Sequence, residues 1–248
     1  MPNERLRAAL LERGLTPDSL AVAVQVDAKT IERWITKGRT PYRRHRYAVA
    51  AQLGMDETYL WPDAISPEQA ADASGSEIIN VYPHRWTMPR DEWSRLFAEA
   101  EEEIDILVYA ALFLAEDAGI VRTLRDKARG GVQIRMLFGD PDSEAVERRG
   151  ADEGIGTSVS ARIRNVLKLF APLLASENVD ARLHGTILYN SIFRADDDMI
   201  VNPQIYGTAA SNAPVLRLRR VAGGNLVSTY MESFERVWEG ARPLQEES

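Results

Sequence analysis

The feature that most constrains the fold of this chain is a change of sequence pattern at residues 63–76. Before this segment, apolar residues recur at helical spacing in short stretches that turn-forming residues separate. After it, continuous apolar runs suited to buried strands alternate with amphipathic stretches. The segment itself, DAISPEQAADASGS, is small and acidic and offers little to bury. The pattern predicts a helical domain over 1–62, a linker over 63–76 and an α/β domain over 77–248.

Composition excludes several classes of protein. The chain has 248 residues and no cysteine, so disulfide frameworks and cysteine-based zinc sites are ruled out. It has three histidines and lacks the HExxH, P-loop and GxSxG patterns, so we predict neither a metal site nor a cofactor. No apolar run approaches the roughly 20 residues of a membrane helix, and the start carries no secretory pattern. We therefore expect a cytoplasmic protein that does not bind membranes.

Local signals predict five short helices within residues 1–62. The third is the best marked, because Asp27 is suited to cap its start and Gly38 to end it. Ile31, Trp34 and Ile35 recur on one face of that helix, which we expect to be buried. Short helices of this kind form a compact bundle.

Charge is distributed unevenly along the chain. Residues 1–62 hold ten lysines and arginines against seven acidic residues, whereas the net charge of the whole chain is −7. The basic residues concentrate in residues 27–46, which contain seven of them against Asp27 and Glu32. A local cationic patch in an acidic protein is the pattern expected where phosphates are bound.

Residues 3–62 resemble the Xre-type (lambda-repressor-like) helix-turn-helix of bacterial, especially actinobacterial, regulators. The resemblance rests on the segment LTPDSLAVAVQVDAKTIERWITKGRTPYRRHRYAVAAQLGMDETYLWP. It implies that polar residues of the third helix contact bases in the major groove and that the following arginines contact phosphates. Pro17 and Asp18 stand where relatives often place a phosphate-binding glutamine, so that contact is not carried over. The predicted DNA-binding residues are Asp27, Lys29, Thr30, Arg33, Lys37, Arg39, Arg43 and Arg44.

The alternative is a helical bundle whose basic face contacts only solvent and does not bind DNA, as is usual for charged faces. Helix spacing, a short turn, polar recognition positions and the basic patch occur together here, which favours DNA binding.

Strand and helix signals alternate in the second part of the chain. Apolar runs at 104–110 and 132–138 flank an amphipathic stretch at 118–129, which predicts a parallel β-α-β crossover. A long polar loop is expected over 139–156. Further strands are expected at 180–184, 186–194, 199–201 and 215–221, and a final helix at 226–240. The predicted fold class is thus a five-helix helix-turn-helix bundle followed by an α/β domain with a mixed sheet.

The order of these elements and a late strand with a histidine resemble one half of the phospholipase D-like superfamily. That family's signature is H-x-K followed by an aspartate, and the window here is His184-Gly185-Thr186 followed by Ser191. Only the histidine, the family's nucleophile, is retained. The resemblance therefore implies a degenerate member, and we predict that the chain is not an enzyme. The alternative is a phosphodiesterase or nuclease of this class that uses His184.

The resemblance also implies a homodimer, because active members place two motifs face to face and this chain has one. Two linked helix-turn-helix domains would also read a two-fold DNA site. The remnant of the family's site is predicted to bind a small anionic ligand through His184, Thr186, Asn190, Ser191 and Arg194. Strand alternation would place His184, Thr186 and Asn190 on one face and Ser191 on the other.

These inferences predict a homodimeric, sequence-specific transcriptional regulator that binds double-stranded DNA. The second domain would serve sensing or dimerisation without catalysis. A regulator controlled by a protein partner is a further alternative.

Overall fold

The computed structural model of the protein describes residues 2–64 and 67–244. The chain divides into two compact units. The first comprises Met1–Glu77 and Val221–Ser228, and the second comprises Ile78–Arg220 and Thr229–Ser248.

Short helices build the first unit, and the five predicted within residues 1–62 are confirmed. They are α1 (Glu4–Glu12), α2 (Pro17–Ala23), α3 (Ala28–Lys37), α4 (Arg43–Leu53) and α5 (Glu57–Leu60). Their core is apolar and closely packed, with Leu6, Leu20, Ile31, Leu53 and Leu60 fully buried. Burial of these side chains is the main source of stability for helices of this length, which are marginal alone.

The segment predicted to be a linker contains helical structure. A short 3₁₀ turn spans Pro62–Ala64 and a further helix, α6, spans Pro67–Ser76. Alanines at 70, 71 and 73 have the highest helix propensity, so a segment that buries little can still be helical. Ile65 and Ser66 lie outside the described residues, and the domain boundaries themselves remain a prediction.

The second unit alternates strands and helices around one sheet. Its strands are β1 (Ile78–Tyr82), β2 (Glu103–Leu107), β3 (Gln133–Gly139), β4 (Val179–His184), β5 (Asn190–Ala195), β6 (Asp198–Pro203), β7 (Val215–Arg219) and β8 (Arg242–Pro243). Its helices are α7 (Arg90–Ala98), α8 (Leu112–Ala115), α9 (Ala118–Arg129), α10 (Glu144–Asp152) and α11 (Ser158–Leu174), followed by most of α12 (Leu226–Gly240).

The sheet is mixed. Its strand order is β1-β7-β6-β5-β2-β3-β4-β8. Strands β2, β3 and β4 are parallel, and the remaining neighbours pair antiparallel. Phe97, Phe138, Phe170 and Phe193 are fully buried in the core of this unit. The predicted fold class, a helical bundle followed by an α/β domain with a mixed sheet, is confirmed.

Two predictions of local structure were wrong. The polar loop expected over 139–156 contains α10, which Ser143 caps by accepting a hydrogen bond from the Val146 amide. The strand expected over 186–194 begins only at Asn190. Before it, the Leu188 amide donates to the Tyr109 hydroxyl at 2.9 Å and the Thr186 amide to His184 Nδ1 at 3.3 Å, so this backbone bonds to side chains instead of to a strand.

Over residues 2–64 and 67–244, none of the helices combines the length and the apolar character that crossing a membrane would require.

Candidate functional site

Helices α2 and α3 of the first unit are joined by a connection of four residues, 24–27. Gln25 adopts a positive φ of 54° in this connection. The Asp27 carboxylate accepts a hydrogen bond from the Lys29 amide at 2.8 Å and thereby caps α3. Gly38 ends α3 in the left-handed conformation. Both predicted ends of this helix are therefore confirmed.

One face of α3 is buried, and the opposite face carries the basic residues. Ile31, Trp34 and Ile35 lie in the core, as predicted. Trp34 packs edge-on against Trp61, with 6.4 Å between the ring centroids. The core contacts thus fix which side of α3 faces solvent.

The predicted DNA-binding residues lie on α3, on the α3–α4 loop and on the first turn of α4. Seven of them are exposed, namely Asp27, Lys29, Arg33, Lys37, Arg39, Arg43 and Arg44. Thr30 is half-buried. We call Lys29, Arg33, Lys37, Arg39, Arg43 and Arg44 the basic surface.

Arg46 belongs to the basic segment of the sequence but not to the basic surface. It is buried, and its Nε donates to Glu57 Oε1 at 2.5 Å while its Nη1 donates to the Pro41 carbonyl at 2.9 Å. Arg46 thus ties α4 to α5 within the unit. The charge count of the sequence does not show this, because it does not distinguish a buried arginine from an exposed one.

In the second unit, a cavity of about 140 Å³ opens where β2 ends and β5 begins. Val108 and Tyr109 follow β2 and line one side of the cavity, and Ser191 and Phe193 of β5 line another. Phe113 of α8 contributes a further wall. Clefts beyond the carboxyl ends of parallel strands are the usual ligand sites of α/β folds.

Three arginines line this cavity, against a single carboxylate. Arg85 comes from the segment between β1 and α7, Arg149 from α10 and Arg162 from α11. The carboxylate is Glu153, which forms an ion pair with Arg149. The lining is therefore cationic overall.

Arg85 is the most desolvated of the cavity's uncompensated charges. Its guanidinium carbon lies 4.2 Å from the centroid of the Phe113 ring. Burial lowers the pKa of Arg85 to about 10, although the charge of Glu153 acts in the opposite direction. Its hydrogen bond to Asn202 Oδ1 is long, at 3.5 Å.

Gln204 lines the cavity and also carries a buried polar atom that has no hydrogen-bond partner among the described residues. Its Nε2 donates to Ser191 Oγ at 3.2 Å. Its Oε1 is buried and has no hydrogen-bond partner among residues 2–64 and 67–244. A buried acceptor left without a donor costs free energy, so such an atom calls for an explanation.

Glycine is required on α10, where the chain turns back on itself. The amides of Ile155 and Gly156 both donate to the Gly150 carbonyl at 2.9 Å. A Cβ at Gly150 would lie 2.0 Å from the Gly156 carbonyl oxygen. The close approach of Gly150 and Gly156 fixes the conformation of the turn that follows Arg149 and Glu153.

His184 ends β4 outside the residues that line the cavity. It is 1% exposed, and both of its ring nitrogens have hydrogen-bond partners. Nε2 lies 3.1 Å from the Val108 carbonyl oxygen, and Nδ1 accepts from the Thr186 amide. Burial lowers the pKa of His184, and these hydrogen bonds offset only part of that effect. The imidazole is thus held neutral, with its proton on Nε2.

The other predicted ligand-binding residues do not gather around His184. Thr186 is exposed in the loop after β4, and Asn190 is half-buried at the start of β5. Ser191 lines the cavity. Strand alternation does not relate His184 and Thr186 to Asn190, because residues 185–189 are not a strand.

Arg194 lies at the far end of β5 in a buried ionic network. It forms ion pairs with Asp105 of β2 and with Glu103. Asp105 also accepts a hydrogen bond from Arg135 of β3, whose other nitrogens bind Glu235. Arg194 is thus occupied by the protein itself and does not reach the cavity.

Sequence reasoning missed Arg85, Arg149, Arg162 and Gln204. Arginine and glutamine are usually surface residues, so nothing local marked these four. The single available signal was the number of arginines in 148–164, a segment interpreted as loop and surface helix.

The structure thus defines a protein with two units, a helical bundle that carries a basic surface and an α/β unit that contains a cationic cavity. The chain belongs to the family described as "Domain of unknown function (DUF5919)", which matches residues 75–245. No curated protein matches the sequence.

Several solved structures are similar in fold. Nuc from Salmonella typhimurium, a phospholipase D family member, is 14% identical with a TM-score of 0.39, over 63% of this chain and 91% of Nuc. NucT from Helicobacter pylori is 12% identical with a TM-score of 0.43, over 66% of this chain and 96% of NucT. TrmBL2, an archaeal chromatin protein with a novel mode of DNA binding, is 13% identical with a TM-score of 0.40, over 66% of this chain and 52% of TrmBL2.

The prediction that the chain is not an enzyme is contradicted by the likeness to Nuc, a phospholipase D family member, and is not retained. The family match begins at residue 75, so the resemblance of residues 3–62 to Xre-type regulators stays a prediction.

Proposed function

We propose that the protein is a transcriptional regulator that binds double-stranded DNA through the basic surface of its first unit and acts as a homodimer. The observation that carries this proposal is the two-sided character of α3. Its apolar face is fixed in the core, so Lys29, Arg33 and Lys37 all remain exposed on the outer side. A capped helix with a rigid backing and a basic outer face meets the requirements of a recognition helix.

The exposed residues fall into two groups by position. Lys29, Thr30 and Arg33 occupy the first half of α3, the part of a recognition helix that contacts base edges. Lys37, Arg39, Arg43 and Arg44 follow on the last turn of α3, the loop and α4, where contacts to the phosphate backbone are expected. Asp27 is assigned the role of fixing the start of α3.

Dimerisation is proposed to involve the edge strand β1. This strand pairs with β7 on one side, and within the described chain it has no strand on the other. Ile79 and Val81 are 54% and 55% exposed. The strand contains no charged residue, although its register shifts between Ile78 and Asn80. Natural edge strands are usually protected by charged side chains, and β1 has none, which favours pairing with a second copy of the strand.

The test is a DNA-binding titration on the full-length protein. Labelled duplexes from the neighbourhood of its own gene are titrated by fluorescence anisotropy at several salt concentrations, against a shuffled duplex. Binding that is tighter for one duplex, and that weakens as salt rises, supports the proposal. Equal and weak binding of all duplexes at low salt would refute it.

The same preparation is assayed for turnover with bis(p-nitrophenyl) phosphate, using wild type and His184→Asn. Hydrolysis that the substitution removes would assign the alternative function, a phosphodiesterase that uses His184. Hydrolysis that is equal in both proteins would be assigned to a contaminating enzyme.

A further inference from the structure

The cavity of the second unit combines two features that point to a ligand. Its lining carries a positive charge that no ion pair neutralises, and the rest of the lining is mostly apolar. His184 does not line the cavity, although Ser191 of the predicted ligand site does.

The uncompensated charge belongs to Arg85 and Arg162. Arg149 is already paired with Glu153, the one acidic residue of the lining. Within residues 2–64 and 67–244, neither Arg85 nor Arg162 forms an ion pair with a carboxylate. Arg162 is exposed, whereas Arg85 is partly buried against Phe113, so an anion in the cavity would lower the cost of burying the Arg85 charge.

Gln204 also lines the cavity, and its Nε2 lies 3.2 Å from Ser191 Oγ. Its Oε1 is buried away from the cavity surface and is not assigned a contact with the ligand.

Size and polarity limit the ligand further. Phe113, Phe193, Leu112 and Val159 give the cavity walls that are apolar. A volume of about 140 Å³ is close to that of a cavity that accepts benzene, roughly 150 Å³. The ligand is therefore a small molecule with an apolar body.

We propose that this cavity binds a small organic anion, whose carboxylate or phosphate head contacts Arg85 and Arg162 and whose apolar body packs against Phe113 and Leu112. This goes beyond the proposed function and does not depend on DNA binding by the first unit. A carboxylate is planar and a phosphate is tetrahedral, and a guanidinium can donate two parallel hydrogen bonds to the oxygens of either group.

The experiment titrates benzoate, phenyl phosphate and neutral benzamide into the full-length protein by calorimetry, with a parallel thermal-shift series. The variants are Arg85→Gln, Arg162→Gln and Arg129→Gln. Arg129 is the matched control, since it is exposed on α9 and its ion pair with Asp126 is also exposed. Sodium chloride at equal ionic strength controls for screening.

We expect one or both anions to bind wild type and Arg129→Gln alike, and benzamide to bind neither. Arg85→Gln should weaken binding at least about tenfold, the effect of losing one charge-assisted hydrogen bond. The anion that binds more tightly identifies the head group as carboxylate or phosphate.

The proposal is overturned if neither anion binds wild type at 10 mM, if benzamide binds as well as benzoate, or if Arg85→Gln binds like wild type. Circular dichroism checks that each variant is folded. If Arg85→Gln does not fold, exposed Arg162→Gln decides the question by the same tenfold criterion. A protein that binds anions but no DNA would refute the proposed regulator while leaving this inference intact.

Discussion

Arg194 and Asp105 form a buried ion pair across the antiparallel strands β5 and β2, with 2.9 Å between Nη1 and Oδ2. Asp105 is 0% exposed, and its neighbour on the other side, Arg135, belongs to β3. The carboxylate therefore lies in a row of charges across three strands.

Arg194→Ala should destabilise the second unit. The substitution leaves Asp105 buried with only one of its two cationic partners, and breaking a buried pair in this way costs about 3 kcal/mol of unfolding free energy. Urea denaturation measures the loss, with the exposed Arg129→Ala as control. If Arg194 instead served a ligand, the variant would keep its stability and lose affinity for the anions.

Arg46→Ala should reduce stability and Arg44→Ala should reduce DNA binding, although the two residues are close neighbours. Arg46 is buried against Glu57, so its loss should destabilise the first unit by about 3 kcal/mol. Arg44 is exposed, so its loss should weaken DNA binding and leave the urea midpoint almost unchanged. Equal effects on stability would show that the two arginines are wrongly assigned.

Arg33→Ala should cost about 1–3 kcal/mol of specific DNA binding and relax the preference at one base pair. Arg43→Ala should weaken binding to every duplex alike and reduce the salt slope by about one. Anisotropy titrations of both variants on the preferred and shuffled duplexes separate the roles. Identical behaviour would mean that Arg33 contacts phosphate as well.

Val81→Lys should convert a dimer to a monomer. A lysine on an edge strand disfavours pairing with a second strand, which is one way in which natural proteins protect sheet edges. Sedimentation velocity reports the change in mass, and the control is Leu169→Lys, an exposed apolar position on α11. A dimer that survives Val81→Lys places the interface elsewhere.

The stability of the second unit should fall as the pH falls below about 6.5. Burial lowers the pKa of His184 below its unfolded value of 6.5, so the unfolded chain takes up a proton that the folded protein rejects. The contribution of His184 is complete above pH 6.5 and is lost on acidification toward the lowered pKa. Urea denaturation at pH 7, 6 and 5 should show this slope, and His184→Gln should reduce it.

Sequence patterns predicted those elements whose signals are local. Helix α9 was predicted over 118–129 and is observed there, because Asp117 caps its start by accepting from two amides. The buried face of α3 followed from periodicity in the same way. In contrast, β1 was missed because its five residues acquire strand structure from pairing with β7, more than a hundred residues later.

The two candidate sites also differ in whether a local sequence pattern predicts them. The basic surface occupies one continuous segment, so composition was enough to locate it. The cavity draws Arg85, Arg149, Arg162 and Gln204 from four separate segments, and only the packing of α8, α10 and α11 at the end of β2 brings them together. No local signal shows that Arg194, a predicted ligand-binding residue, is paired with Asp105.

The contact between Gly150 and Gly156 limits how this unit can vary. With a carbonyl oxygen 2.0 Å from where a methyl group would stand, even alanine at 150 would force the backbone of the following turn to move. That movement would carry Arg149 and Glu153 away from the cavity rim. A saturation library at position 150, sorted for folded protein that still responds to anions, should therefore return glycine almost exclusively, while neighbouring Ala151 accepts many residues.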